Sequence, residues 1–272
     1  MGLFDIFKKQ APSPAPVSNA PEMLSCKLLF KAQPVIDNLL ILAELQKTYP
    51  TVENMGELLF AFPEVPVVLS DATIPAQCSI MVLADALNVP QDALQQNWHW
   101  PEATAAVGEC RYEVLVTDLM TRTLDYKTRH RLFMAFLAAV IRVTQPAVVY
   151  SLPAQKLIAP DLLLTSWGAQ QSALDILINV RLYNVSDSPE QEMLMDTVGL
   201  HTFGLPDLQI RFSNEDPSAI GTLLWNYAYY IFDKGNVIQD GNTIMGPTEG
   251  SKLTCHHTTS LLPPVRQVIN IS

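Results

Sequence analysis

Two short stretches dense in Gly, Asp, Thr and His interrupt a chain otherwise built of plain aliphatic segments, and they fix where its backbone must turn sharply. The first, Met195–Gln209, contains the run Asp-Thr-Val-Gly-Leu-His-Thr-Phe-Gly-Leu-Pro-Asp; the second, Gln239–Gly246, contains Asp-Gly-Asn-Thr-Ile-Met-Gly. Gly199, Gly204, Gly241 and Gly246 are expected in backbone conformations that a Cβ would forbid. Asp240-Gly241 is a tight-turn dipeptide, and Asp207 after Pro206 is a natural turn residue. Thr197 and Thr243 can hydrogen-bond nearby backbone. Read this way, the two stretches are corners of a sheet that dock together.

Between the corners the chain alternates strand and helix patterns. A strand is expected at Cys26–Lys31, then a helix from Pro34 to Lys47 with Val35, Leu39, Leu42 and Leu45 on one face. Short strands follow around Leu58–Phe62, Val67–Ser70 and Ser79–Leu83, then helical stretches at Gln91–Asn97 and Ala103–Val107. Arg111–Asp118 alternates as a strand does, and a long helix runs from Lys127 to Thr144, stopping before Pro146. A strand at Ala147–Tyr150, a helix at Pro160–Gln171 and a long strand at Asp175–Tyr183 complete the middle of the chain. Further strands are expected at Thr197–His201 and Leu208–Phe212. Asp216-Pro217 then starts a helix, whose inner face is Ile220, Leu223, Leu224, Tyr227, Ile231 and Phe232 and whose end is Lys234-Gly235. Closing strands are expected at Lys252–His257 and Val265–Ile271. The pattern predicts an α+β fold, with a mainly antiparallel sheet, helices packed on one face and about three strand–helix–strand units. Residues 22–272 read as a single α+β domain. Residues 1–21 read as an amphipathic lead (Leu3, Phe4, Ile6 and Phe7) followed by a Pro-rich flexible linker.

Bulk composition removes several function classes. With 49% hydrophobic and 16% charged residues, the chain has the makeup of a globular protein. A net charge of -10, with 17 scattered Lys and Arg, argues against nucleic acid. The longest apolar run, Leu132–Ile141, is half of the ~20 residues a bilayer span requires, so no integral membrane segment is expected. Cys26, Cys78, Cys110 and Cys255 are widely spaced, and each lies among apolar residues. They read as buried thiols of a reducing, cytoplasmic compartment rather than zinc ligands.

Polar residues able to carry chemistry gather in the C-terminal third. Asp196, His201, Asp240 and His257 are the candidates for a hydrolytic site, possible with or without a metal; Asp207, Asn242 and Thr243 are candidates for binding. No close-spaced His pattern supports a metal, and no Gly-x-Ser-x-Gly elbow or phosphate-cradling loop is present, so no cofactor is expected. Trp98 and Trp100 flank His99. Exposed, they would form a recognition surface; buried, the commoner fate of Trp, they would close over the core.

The pattern Asp196-Thr-x-Gly-Leu-x-x-Phe-Gly-Leu-Pro-Asp-Leu-Gln209, the helix ending at Gly235, and Asp240-Gly-Asn-Thr-Ile-x-Gly246 together resemble the bacterial domain-of-unknown-function family 4261. The resemblance is most specific over residues 194–260. It implies a bacterial, cytoplasmic protein with no established activity and nominates no catalytic residues. Asn242 stands where the family pattern carries aspartate. The expectation is therefore a non-enzymatic protein-interaction module with a protein partner, in one concrete version an immunity or accessory role. The competing expectation is a hydrolase with its site at the 196–207 and 240–257 elements. Oligomeric state is not encoded in any feature of the sequence.

Overall fold

A computed structural model describes residues 22–83, 87–170, 173–186, 192–248 and 250–272. The expected lead and linker, residues 1–21, lie outside the described residues. In chain order the elements are β1 (Ser25–Phe30), α1 (Asn38–Gln46), β2 (Glu53–Gly56), β3 (Leu59–Val68), β4 (Thr73–Val82), α2 (Gln91–Gln95), α3 (Ala103–Glu109), β5 (Tyr112–Leu119), α4 (Tyr126–Thr144), β6 (Val148–Ser151), β7 (Lys156–Ile158) and α5 (Pro160–Gln170). They are followed by β8 (Asn179–Asn184), β9 (Met193–Val198), β10 (Asp207–Phe212), α6 (Pro217–Lys234), β11 (Thr243–Met245), β12 (Lys252–Thr259) and β13 (Gln267–Ile271).

The chain is α+β, and its strands divide between two sheets in sequence order. The first has the order β2-β3-β4-β5-β1-β6-β7 and the second β11-β12-β13-β10-β9-β8. Every pairing is antiparallel except β10 with β13. β1 shows how the first sheet is layered. Leu28 faces the main core, whereas its neighbour Leu29 packs with Val148, Tyr150 and Leu157 under Ala93 of α2 and Ala103 of α3. Successive strand side chains alternate faces, so this sheet carries α4 on one side and a small α2–α3 layer on the other. α6 covers β8, β9 and β10 of the second sheet with Ile220, Leu223, Leu224, Ala228 and Ile231.

α4 and α6 meet through Tyr126, His130 and Phe232. The Tyr126 hydroxyl donates to the Phe232 carbonyl (2.9 Å), and the His130 ring packs edge-on against Phe203 and Phe232. A single cluster of buried apolar side chains runs through both halves, from Leu24 to Ile271.

Several elements differ in extent from the sequence pattern, each for a local reason. α1 begins at Asn38, not Pro34, because the Asp37 carboxylate accepts the Leu39 and Leu40 amides and caps the helix there. Its inner face is Ile41 and Leu45; Val35 and Leu39, expected inside, are exposed. The two short strands expected at 58–70 form one strand, β3, bulged between Phe62 and Pro66 where Pro63 and Pro66 lack ladder donors. The long strand expected from Asp175 begins only at Asn179. Ala173 takes a left-handed conformation, and Leu174–Ile176 form a 3-10 turn before it. The strand expected at Thr197–His201 ends at Val198 and gives way to a 3-10 turn, Leu200–Phe203.

Candidate functional site

The first polar stretch folds into a buried charge lattice. Asp207, at the start of β10, accepts five hydrogen bonds. They come from Thr197 Oγ1 (2.9 Å), the Leu200 and His201 amides (3.1 and 3.3 Å), His201 Nδ1 (2.8 Å) and Arg266 Nε (3.0 Å). The carboxylate thereby holds the 3-10 turn that follows Gly199. Burial pushes its pKa up, but the His201 hydrogen bond, the charges of His201 and Arg266 and the Thr197 hydroxyl outweigh burial and hold it below the usual carboxylate range.

Asp196 on β9 is gripped by Arg181 through Nε (3.0 Å) and Nη2 (2.6 Å), and by Arg266 through Nη2 (2.6 Å). The remaining guanidinium donors reach Gln155, Thr197 O, Leu262 O, Pro263 O and Pro264 O. Such an arrangement satisfies buried charges and locks geometry. Arg181 and Arg266 were not singled out by the sequence. The available signal was Arg181 standing among apolar residues at an inward position of its strand.

The second polar stretch is a surface corner. Asp240 Oδ1 accepts the His257 amide (2.8 Å), His257 Nε2 donates to Ile238 O (2.7 Å), and the Cys255 carbonyl accepts the Gly241 amide (2.7 Å). Asn242 Oδ1 accepts the Gln239 amide (2.9 Å), a task an aspartate would perform equally well, so the departure from the family pattern leaves the turn intact. Thr243 is exposed on β11.

Asp196 pairs with Gln209, Gln209 with Asn270, and Asn270 with His256. Asp196 and His256 thus stand three strand spacings apart, about 14 Å. Among the described residues no three His, Cys, Asp or Glu side chains converge to hold a metal ion. All four cysteines are buried and unpaired, and burial raises the pKa of Cys255, so it is a poor nucleophile.

The tryptophan pair separates. Trp100 packs against the small α2–α3 core, whereas Trp98 keeps 53% of its surface exposed. Trp98 forms one wall of a cleft of about 330 Å³ whose other walls come from Lys156 of β7, Asn179 and Val180 of β8, Met195 of β9 and Trp225 of α6. His99 stands at the same cleft. Although His99 keeps much of its surface in solvent, partial burial and the Lys156 charge push its pKa down to about 4. Trp225 lies against Tyr229 one helical turn on (centroids 5.9 Å), and Tyr229 is exposed beside it. Lys156, Asn179 and Trp225 escaped the sequence reading, because nothing local distinguishes a cleft-facing side chain from a core one.

A second cavity, of about 440 Å³, opens beside His201 and is lined also by Ser25, Arg122, Gln155 and Thr202. Among the described residues no helix is long and apolar enough to cross a membrane. Neither curated proteins nor solved structures give a match to the chain. Residues 196–272, which hold both polar corners, α6 and β10–β13, match the model described as Domain of unknown function (DUF4261), and over that stretch the chain resembles this family.

Proposed function

We propose that the protein is a non-enzymatic recognition module of the bacterial cytoplasm, a single α+β domain over residues 22–272 that binds a protein partner through the cleft between Trp98 and Trp225. The observation that carries this reading is the aromatic surface there: Trp98 is exposed at a concave, largely apolar cleft, and Trp225 in its wall packs against the exposed Tyr229. Rigid aromatic side chains beside a pocket are the composition of binding hot spots. By contrast, the Asp196 and Asp207 carboxylates are spent on internal partners. The test is affinity capture from native lysate with the full chain, Trp98→Ala, Tyr229→Ala and His257→Ala. A specific partner lost in the first two variants and kept by the third supports the reading; a partner indifferent to Trp98 and Tyr229 refutes it.

A second reading is favoured by one observation: His201, oriented by Asp207, lines the second cavity. A carboxylate-held imidazole at a cavity wall is an arrangement that serves general base catalysis in a hydrolase. Hydrolysis of p-nitrophenyl esters that His201→Asn abolishes and Trp98→Ala leaves untouched would favour it over the recognition module.

A further inference from the structure

We propose that the Trp98–Trp225 cleft binds a small carboxylate bearing an apolar or aromatic group, with Lys156 and Asn179 holding the carboxylate and the two indoles enclosing the rest. This deepens the reading of the cleft as the recognition site and rests on it. Lys156 carries the argument first. Only 6% of it is exposed, and burying an ammonium is costly unless a counter-charge meets it. Yet among the described residues no carboxylate lies within ion-pair distance. Its Nζ donates to the main-chain carbonyl of Asp175 (2.8 Å) and sits 5.5 Å from the centre of the Trp225 ring. An ammonium has three donors, and the carbonyl accounts for one.

Asn179 supplies the second, independent observation. It is 4% exposed, it lines the same cleft, and its Nδ2 has no acceptor among the described residues. A buried donor left unpaired is destabilising unless a ligand completes it. Lys156 and Asn179, each with an unfilled donor, therefore border one cleft. The N-terminal turn of α6 contributes Pro217 and Ser218 to the same wall. Because Pro217 has no N–H and Asp216 already accepts the Ser218 amide, the helix adds its positive field there rather than a donor.

Charge and shape select the ligand class. One buried ammonium balances one negative charge, which fits a carboxylate better than a doubly charged phosphate. Burial holds the Lys156 pKa down at about 8, against the opposing charge of Asp175, so the amine is mostly protonated at neutral pH. A cleft of about 330 Å³ walled by Trp98, Val180, Met195 and Trp225 is too large and too apolar for a bare ion; an apolar group is needed to fill it. Such a carboxylate is either a free small acid or the C-terminus of a peptide ending in an apolar residue.

Calorimetric titration of the full chain with phenylacetate, Gly-Gly-Phe and Gly-Gly-Phe-amide tests this. Acid-bearing probes should bind saturably and the amide about tenfold or more weaker. Lys156→Met and Asn179→Ala, each confirmed folded by thermal melting, should weaken the acids by a similar factor, which also guards against failure of either variant alone. Binding of phenylacetate without Gly-Gly-Phe assigns a free acid, and the reverse assigns a chain terminus. Amide binding equal to acid binding, or acid binding unchanged in both variants, overturns the carboxylate site and leaves the cleft a recognition surface. Absence of all probe binding alongside Trp98-dependent partner capture does the same. Absence of both removes the recognition reading as well.

Discussion

Arg266 reaches across a whole strand to Asp196. It precedes β13, whose neighbour is β10, yet its Nη2 lies 2.6 Å from a carboxylate on β9, one strand further on. On the way its Nε engages Asp207, so one guanidinium fastens three strands. Replacing it by Met should leave two buried carboxylates short of a partner and three carbonyls without a donor. The expected loss is about 3–5 kcal/mol in denaturant unfolding. A loss under ~1 kcal/mol would mean that Arg181 and His201 satisfy the carboxylates unaided.

Gly199 and Gly241 both have positive φ, at +130° and +77°, but only the first is crowded. A Cβ at 199 would lie 2.0 Å from the Leu177 carbonyl oxygen, whereas one at 241 meets nothing within 4 Å. Gly199→Ala should therefore destabilise by about 4 kcal/mol or more, and Gly241→Ala by about 1–2 kcal/mol from backbone strain alone. Comparing the two urea midpoints checks the ranking.

His130 is buried at 2% exposure, its Nε2 has no partner among the described residues, and aromatic rings surround it. Burial, assisted by the Arg131 charge, lowers its pKa from 6.5 to about 4. The unfolded chain thus takes up the proton first as pH falls. The neutral-histidine contribution to stability is whole above pH 6.5, declines between 6.5 and 4, and is flat below. Its full size is about 3 kcal/mol. His130→Leu should lose this part of the acid sensitivity, seen as a smaller drop in urea midpoint between pH 7 and 4.5 than the unaltered chain shows.

Lys156→Met should raise stability at neutral pH. The folded-state pKa of about 8 lies below the usual 10.5, so folding penalises the ammonium below pH 8, and the penalty fades as pH climbs toward 10.5. Offset against the lost bond to the Asp175 carbonyl, the gain is about 1–3 kcal/mol at pH 7. A higher melting temperature at pH 7, with the gap narrowing by pH 10, is the expected result. A variant less stable at pH 7 would show that the amine is a structural tie.

How far the sequence carries depends on whether the cause of a feature is local. α6 was legible from both ends, since Asp216 caps it, Pro217 opens it and Gly235 closes it within the chain's own neighbourhood. The Asp207 turn was legible as a turn for the same reason. What the turn is tied to was not, because Arg266 lies 59 residues away. The division into two sheets is set by pairings such as β10 with β13, which no local pattern announces. On α1 the apolar spacing pointed to Val35 and Leu39 as well as Leu45, but Asp37 starts the helix late, so Ile41 joins Leu45 inside while Val35 and Leu39 stay exposed. The aromatic cluster at 98–100 was visible as a cluster. That Trp98 faces a cleft while Trp100 packs inside follows from Trp225 and Lys156, which come from distant elements.

The Arg181–Asp196 pair bears on where this molecule can be cut. A fragment opening at Asp196 would keep the carboxylate and discard the guanidinium that grips it twice, along with β8 and the first half of β9. It would also uncover the strip of α6 that rests on β8. The stretch that resembles the family is thus a recognisable passage of the chain rather than a separable piece. Any excised unit that keeps this pair must open upstream of β8.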